Sequence, residues 1–166
     1  MKLVKKITSD PWFTRSINLT RDADSIESIA AYIPTSTTKS ALQEIANGFD
    51  EDGRDRAFSL MGPYGSGKSS FALFLNAILS HEDKEMQKLA LQKLKDFDTT
   101  LHSKIQKNVK SKKIFKVVLS GSYDSFEKHL VEGLNQKIID LAKSEKVNSK
   151  LLKQAALLAK NSDPSP

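Results

Sequence analysis

A glycine-rich stretch near the middle of the chain constrains the fold more than any other feature. Residues 62–69 are Gly-Pro-Tyr-Gly-Ser-Gly-Lys-Ser and match the pattern G-x-x-x-x-G-K-[ST]. Gly62 and Gly67 are expected to adopt backbone angles that a Cβ atom would forbid, so that successive N–H groups turn toward phosphate oxygens. Lys68 supplies a point charge for the β- and γ-phosphates, and the Ser69 hydroxyl is a ligand for Mg²⁺. The stretch therefore predicts a phosphate-binding loop.

Apolar segments flank this loop on both sides. Residues 57–61 form an apolar run of the kind found in buried parallel strands. Residues 70–79 contain no Gly or Pro and are apolar almost all round, which is typical of a buried helix. A strand, a glycine-rich loop and a helix N-terminus together bind the phosphates of a nucleotide. The predicted nucleotide contacts are Gly62, Pro63, Tyr64, Gly65, Ser66, Gly67, Lys68, Ser69 and Ser70, with Ser69 also the predicted metal ligand.

The rest of the pattern predicts helices with one further strand. A helix is expected to begin at Ser36 or Thr37 and to end at Gly48. One or two surface helices are expected over 84–110, with an interruption at Asp98. The β-branched run at 114–120 predicts a second strand, and a helix from 125 to 141 follows it.

This order of elements indicates an α/β fold, in which a parallel sheet lies between layers of helices. We expect a three-layer structure of which this chain is the N-terminal portion, because two parallel strands alone rarely make a stable sheet. The predicted organisation is an N-terminal arm over 1–31, a nucleotide-binding domain over 32–161 and a frayed tail over 162–166. Within that domain, residues 82–111 form a helical insertion.

Two groups that nucleotide hydrolysis requires are missing from their expected places. A second strand would have to end in an acid that holds Mg²⁺, but Asp124 follows 114–120 only after a loop and is better explained as a helix cap. No arginine follows the loop to stabilise a transferred phosphoryl group, since all four precede it: Arg15, Arg21, Arg54 and Arg56. We therefore expect hydrolysis to need a longer chain or partner subunits of a larger complex.

Positive charge is concentrated in the last third of the chain. Residues 101–166 hold 13 Lys or Arg against 6 Asp or Glu, whereas residues 1–100 hold 13 against 14. Such a stretch can contact nucleic acid, but it has a single interleaved aromatic residue and no arginine, which favours a solvated surface. The lysines are densest at Lys104, Lys107, Lys110, Lys112, Lys113 and Lys116.

The composition also restricts the compartment. The chain has no Cys, which excludes a disulfide framework, a thiolate nucleophile and a Cys-based zinc site. No apolar run approaches the roughly 20 residues that a membrane span needs, and no apolar region follows the basic N-terminus as in a signal peptide. We expect a cytoplasmic protein without a membrane partner.

The loop and its flanks resemble the Walker A region of P-loop NTPases, in particular the superfamily of AAA-type, origin-recognition-like and STAND ATPases. In that superfamily a short helix precedes the loop strand, and the segment before this helix lies near the adenine. Residues 32–35, Tyr-Ile-Pro-Thr, followed by the helix to Gly48, are similar to this arrangement. Residues 62–75 are also similar to the loops of large ATP-binding proteins from bacterial antiphage defence islands. The resemblance implies ATP and Mg²⁺ as ligands, and an ATPase that couples hydrolysis to conformational change.

Two other functions remain open from the sequence. A non-catalytic interaction module would keep the loop as a folding or anion site and would use the lysines of 104–116 to bind nucleic acid. A small phosphotransferase is the less favoured alternative, because such enzymes close an arginine-bearing lid on the phosphates.

Overall fold

The computed structural model of the chain divides into two compact units, Met1–Lys116 and Val117–Pro166. The residues that it describes are 16–19, 21–50, 55–80, 83–111, 114–119, 121, 125–143 and 157. Within the first unit, the described helices are α1 (Ile26–Ala31), α2 (Ser36–Gly48), α3 (Lys68–Ile78), α4 (Lys84–Phe97) and α5 (Thr99–Ser111). The second unit contains α6 (Phe126–Lys143).

The fully buried apolar residues described in the first unit all lie on its helices. Helices α4 and α5 make a hairpin, in which α4 packs on α1 and α3 while α5 packs on α2. Each fully buried Leu, Ile or Phe side chain contributes roughly 1.5–3 kcal/mol to such a core. The buried apolar residues are Ile29, Leu42, Ala46, Phe71, Leu73, Phe74, Ala77, Ile78, Met86, Ala90, Leu94, Leu101, Ile105 and Val109.

Local sequence determines where these helices begin and end. The Thr35 side chain accepts a hydrogen bond from the Thr38 N–H, and the Thr38 side chain accepts one from the Thr35 N–H, so the two residues form a capping box for α2. Asp83 accepts from two N–H groups in the first turn of α4. The predicted helix from Ser36 to Gly48 is confirmed, and the stretch 84–110, expected to hold one or two helices, holds two that are separated at Asp98. The α4–α5 hairpin is nevertheless a large part of the core rather than a surface addition.

The predicted parallel sheet is wrong, since none of the described residues lies in a β-strand. No strand among the described residues lies beside the run 57–61 to complete a hydrogen-bonded ladder, and Met61 is 89% exposed. The segment instead lies close to the end of α2, where a Cβ atom on Gly48 would lie 2.9 Å from Phe58 Cζ. Periodicity does not distinguish a short apolar run buried in a sheet from one that passes over a helix end.

The second predicted strand, 114–120, is also absent from its described part, 114–119. This run is divided between the two units, because the first ends at Lys116. Val117 and Leu119 pack closely on α6, where a Cβ atom on Gly133 would collide with the Leu119 side chain. The missing side chain of Gly133 thus lets the run lie against a helix instead of pairing with a strand. The expected three-layer α/β architecture is therefore replaced by packed helices.

Asp98 links α5 to α2 and gives the fold an expected pH dependence. Its carboxylate accepts the Leu101 N–H at 2.8 Å and pairs with Lys39 Nζ at 2.6 Å, and these contacts lower the pKa of Asp98. A carboxyl group whose pKa is lower in the folded chain stabilises the fold above its unfolded pKa of about 3.9, and this contribution is lost as pH falls through the folded pKa.

We expect the free energy of unfolding of the Asp98→Asn chain to fall less steeply below about pH 4 than that of the parent chain, because asparagine has no charge to lose. Urea unfolding of both chains between pH 7 and pH 3 measures this slope. Lys39→Met is the partner control, since it removes the ion pair and leaves the cap in place. An Asp98→Asn chain with the full acid-side slope would contradict the assignment.

Some predicted features lie outside the described residues. These are the tail over 162–166, the candidate acid Asp124 and two members of the lysine cluster, Lys112 and Lys113. Among the helices that are described, none combines the length and apolar character needed to cross a membrane.

Candidate phosphate-binding site

The glycine-rich stretch forms a tight loop that leads directly into α3. Gly65 has φ +79° and Gly67 has φ +82°, the only two positive φ angles among the described residues. Gly67 is the N-cap of α3, and its carbonyl accepts the Phe71 N–H at 2.9 Å to begin the helix. Left-handed residues beside helical ones turn consecutive N–H groups into a concave anion-binding surface. The first N–H groups of α3 also lack helical partners and face the same end.

Gly62 does not have the positive φ angle that the sequence predicted for it; Gly65 has that role together with Gly67. The constraint at Gly62 is steric, because a Cβ atom there would lie 2.9 Å from Ser66 Oγ. The turn closes with a hydrogen bond from the Ser66 N–H to the Pro63 carbonyl at 3.3 Å. Each glycine of the motif thus has a structural role. Gly65 and Gly67 have positive φ angles, and Gly62 lies close to the Ser66 side chain.

Lys68 folds back over the loop. Its Nζ donates hydrogen bonds to the Gly62 and Pro63 carbonyls, both at 2.7 Å, and lies 3.4 Å from Ser66 Oγ. The ammonium group therefore sits at the mouth of the loop, held only by neutral oxygen atoms. A phosphate chain placed on the loop would meet this cation without breaking an ion pair.

A cavity of about 940 Å³ opens above the loop. Its volume falls within the range of about 300–1,000 Å³ that is typical of small-molecule sites. All nine predicted contact residues, Gly62 to Ser70, line it. The described lining residues include no Asp or Glu, and Lys68 is the only Lys or Arg among them. Since the N-terminal ends of α2 and α3 both reach this cavity, its electrostatics favour an anion.

The link between α1 and α2 forms a second wall of the cavity. Tyr32, Ile33 and Thr35 all line the cavity, so the structure brings the segment predicted to flank the base next to the loop. The Tyr32 ring stacks on Phe74 with centroids 4.4 Å apart, and its hydroxyl lies 2.8 Å from Thr38 Oγ1. Burial raises the pKa of Tyr32, and the Thr38 contact opposes that rise only in part. Tyr32 is therefore a neutral and well-supported part of the wall.

A third wall comes from residues that the sequence did not identify. Ser16 and Ile17 line the cavity, and Ser16 Oγ lies 3.2 Å from the hydroxyl of Tyr64 in the loop. This segment is held by Arg21, which donates to the Ser16 carbonyl at 2.7 Å and pairs with the buried Asp22. No sequence pattern connects Ser16 to a loop 48 residues away, so only the tertiary structure reveals the contact.

The residues of the cavity suit phosphate better than they suit a bare metal ion. The Ser69 hydroxyl lines the cavity, but no described lining residue carries a carboxylate. No group of three His, Asp or Glu side chains placed to hold a metal occurs within the described part of the chain. Mg²⁺ commonly binds through a few protein oxygens together with substrate phosphates and water. Ser69 therefore fits a Mg²⁺ ion that arrives with a phosphate chain.

Comparison of the chain with protein-family models, with curated proteins and with solved structures finds no match. The resemblance of residues 62–69 to a Walker A motif consequently stays a prediction. What the cavity can bind has to be argued from its own geometry and charge.

Proposed function

We propose that the chain binds a nucleoside triphosphate, with ATP the expected nucleotide, through the loop from Gly62 to Ser70. The observation that carries the proposal is the position of Lys68 Nζ, bound by two loop carbonyls at the N-terminus of α3. A cation held by neutral carbonyls, left-handed glycines and unpaired helical N–H groups are complementary to a chain of phosphates. Mg²⁺ would bind between the Ser69 hydroxyl and the phosphate oxygens.

The proposed site has a loop and a helix, and the part of the chain that the structure describes places no parallel sheet behind them. Phosphate binding depends on the local loop conformation and on the helix N-terminus, and both are present in the described residues. Hydrolysis needs more, because an acid and a further cation must act on the γ-phosphate and the attacking water. We therefore propose an ATPase role only for a longer chain or an assembly in which other subunits contribute these groups.

Direct titration tests the proposal. We expect calorimetry to show saturable binding of Mg-ATP and also of magnesium with inorganic triphosphate, because the phosphates supply the main contacts. AMP is the matched control, since its single phosphate cannot span the loop and reach Lys68 as a triphosphate does. A chain that binds neither ATP nor triphosphate would overturn the proposed function.

The lysine-rich face gives weaker support for a nucleic-acid module. Of the clustered lysines, Lys104 pairs with Asp50 at 3.0 Å, and Lys116 donates to the Asn76 carbonyl at 3.2 Å. Lys107 and Lys110 are exposed on α5. Phosphate contacts supply most of the affinity for nucleic acid. The described members of the cluster include only two exposed lysines on α5 and no aromatic partner for them, which favours the nucleotide proposal over this alternative.

A further inference from the structure

The α4–α5 hairpin donates hydrogen bonds to the C-terminal end of each helix that borders the cavity. Gln87 Nε2 donates to the Ile78 carbonyl of α3, and Asn108 Nδ2 donates to the Ala46 carbonyl of α2, both at 3.1 Å. Lys93 Nζ donates to the carbonyl of Tyr32, the C-cap of α1, also at 3.1 Å. The last carbonyls of a helix lack the N–H partners of its interior, so these side chains add donors at the helix ends; the Ala46 carbonyl also accepts the Phe49 N–H at 3.3 Å.

Lys93 differs from the other two donors in what it holds. Ile78 and Ala46 do not line the cavity, whereas Tyr32 forms part of its wall. Lys93 itself is not a lining residue; it reaches the Tyr32 carbonyl from α4, behind the wall. The Tyr32 side chain is already held by Phe74 and Thr38. Lys93 also fixes the backbone, because it donates a hydrogen bond to the Tyr32 carbonyl, directly before Ile33 and Thr35.

We propose that Lys93 is a positioning residue for the part of the ligand that is not phosphate. This inference rests on the proposed function. With the phosphates on the loop, the remainder of the ligand has the other walls of the cavity to contact, and Tyr32, Ile33 and Thr35 form one of them. Lys93 holds this wall at a fixed distance from the loop without touching the ligand. It therefore determines how well a nucleoside is accepted and has no effect on how phosphate is held.

Removal of the Lys93 ammonium group is expected to affect the binding of two ligands differently. Removing the ammonium group leaves the Tyr32 carbonyl without its donor, and the wall loses its fixed position while the loop is unchanged. Binding of Mg-ATP weakens about fivefold to tenfold, since one charged hydrogen bond behind the site is lost and no ligand contact is removed. Binding of inorganic triphosphate, which uses the loop alone, stays within about twofold of the parent chain.

Calorimetric titration of four variants tests the inference. Lys93→Met keeps the aliphatic stem and removes the donor, and Lys93→Gln is a second variant with a neutral polar end. Lys93→Arg keeps a charged donor and is expected to restore ATP binding to within about twofold of the parent. Lys88→Met, on an exposed position of α4, is the matched control and should bind both ligands as the parent does. Unchanged triphosphate binding shows that each variant is folded.

The outcomes distinguish this inference from the function on which it rests. ATP binding that weakens while triphosphate binding is retained supports the positioning role. If Lys93→Met and Lys93→Gln weaken both ligands equally, or neither, the positioning role is overturned and the phosphate site stands. A parent chain that binds neither ligand overturns the proposed function, and the role of Lys93 with it.

Discussion

Lys68→Ala is expected to weaken Mg-ATP binding by about a hundredfold while leaving the helical core intact. Lys68 Nζ is the only cationic group among the described residues that line the cavity. A hydrogen-bonded contact between a cation and phosphate is worth about 3 kcal/mol, which corresponds to a factor of roughly 100 in affinity. The ammonium group contacts only exposed loop atoms, so the free energy of unfolding should change by less than about 0.5 kcal/mol.

Calorimetry and urea unfolding measure these two quantities on the same preparations. Lys88→Ala, on the exposed side of α4, is the control for a general effect of lost positive charge. Lys68→Arg keeps the charge, but its planar guanidinium does not reproduce a compact ammonium held by two carbonyls, so its affinity should be intermediate. A Lys68→Ala chain that binds Mg-ATP as tightly as the parent would refute the assignment of the loop.

Phe74→Ala is expected to lower the free energy of unfolding by about 3–5 kcal/mol, the largest effect on stability that we anticipate. Phe74 is completely buried, and its ring supports Tyr32 through a stack with centroids 4.4 Å apart. The lost stack accounts for about 0.5–1.5 kcal/mol of the total, and the cavity left in the core accounts for most of the rest. Urea denaturation, monitored by circular dichroism, measures the change in the free energy of unfolding.

Phe58→Ala is the matched comparison, because it tests the helical core against the sheet that the sequence predicts. Phe58 is 47% exposed and lies in the run 57–61 that was expected to be a buried parallel strand. Its truncation should cost less than about 1.5 kcal/mol, since the ring is not enclosed. In a buried central strand the same change would cost as much as Phe74→Ala. Equal losses for the two variants would therefore contradict the described packing.

The features that depend on neighbouring residues could be predicted from the sequence. Thr35 and Thr38 cap α2 across a single turn, and Asp98 separates α4 from α5 by ending one helix and capping the next. In the loop, the spacing of the glycines predicts a turn before a helix with backbone angles that favour glycine. Gly65 and Gly67 have such angles, since their φ values are positive. Such features are determined within about four residues, where hydrogen bonding and sterics leave few choices.

The cavity was predictable only in part. Residues 32–35 were expected near the base, and Tyr32, Ile33 and Thr35 do line the cavity, although their role in binding stays a prediction. Ser16 and Lys93 were not identified, since neither lies within a recognisable motif. Ser16 contacts Tyr64, which is 48 residues away in the sequence. Lys93 contacts the carbonyl of Tyr32, which is 61 residues away. A single sequence contains no local pattern that predicts such pairings.

By itself, then, the sequence determined the helix caps and a glycine-rich turn that precedes α3 with Lys68 at its first position. Only the tertiary structure decided what surrounds that turn. The apolar run 57–61 could be buried by neighbouring strands or pass over a helix end, and its composition is the same in both cases. In the described chain the run passes over a helix end, because the apolar face of the α4–α5 hairpin packs on α1, α2 and α3 and completes a core of helices. The glycine-rich loop therefore lies among helices in the described chain, because its own conformation is local while a sheet depends on distant partners.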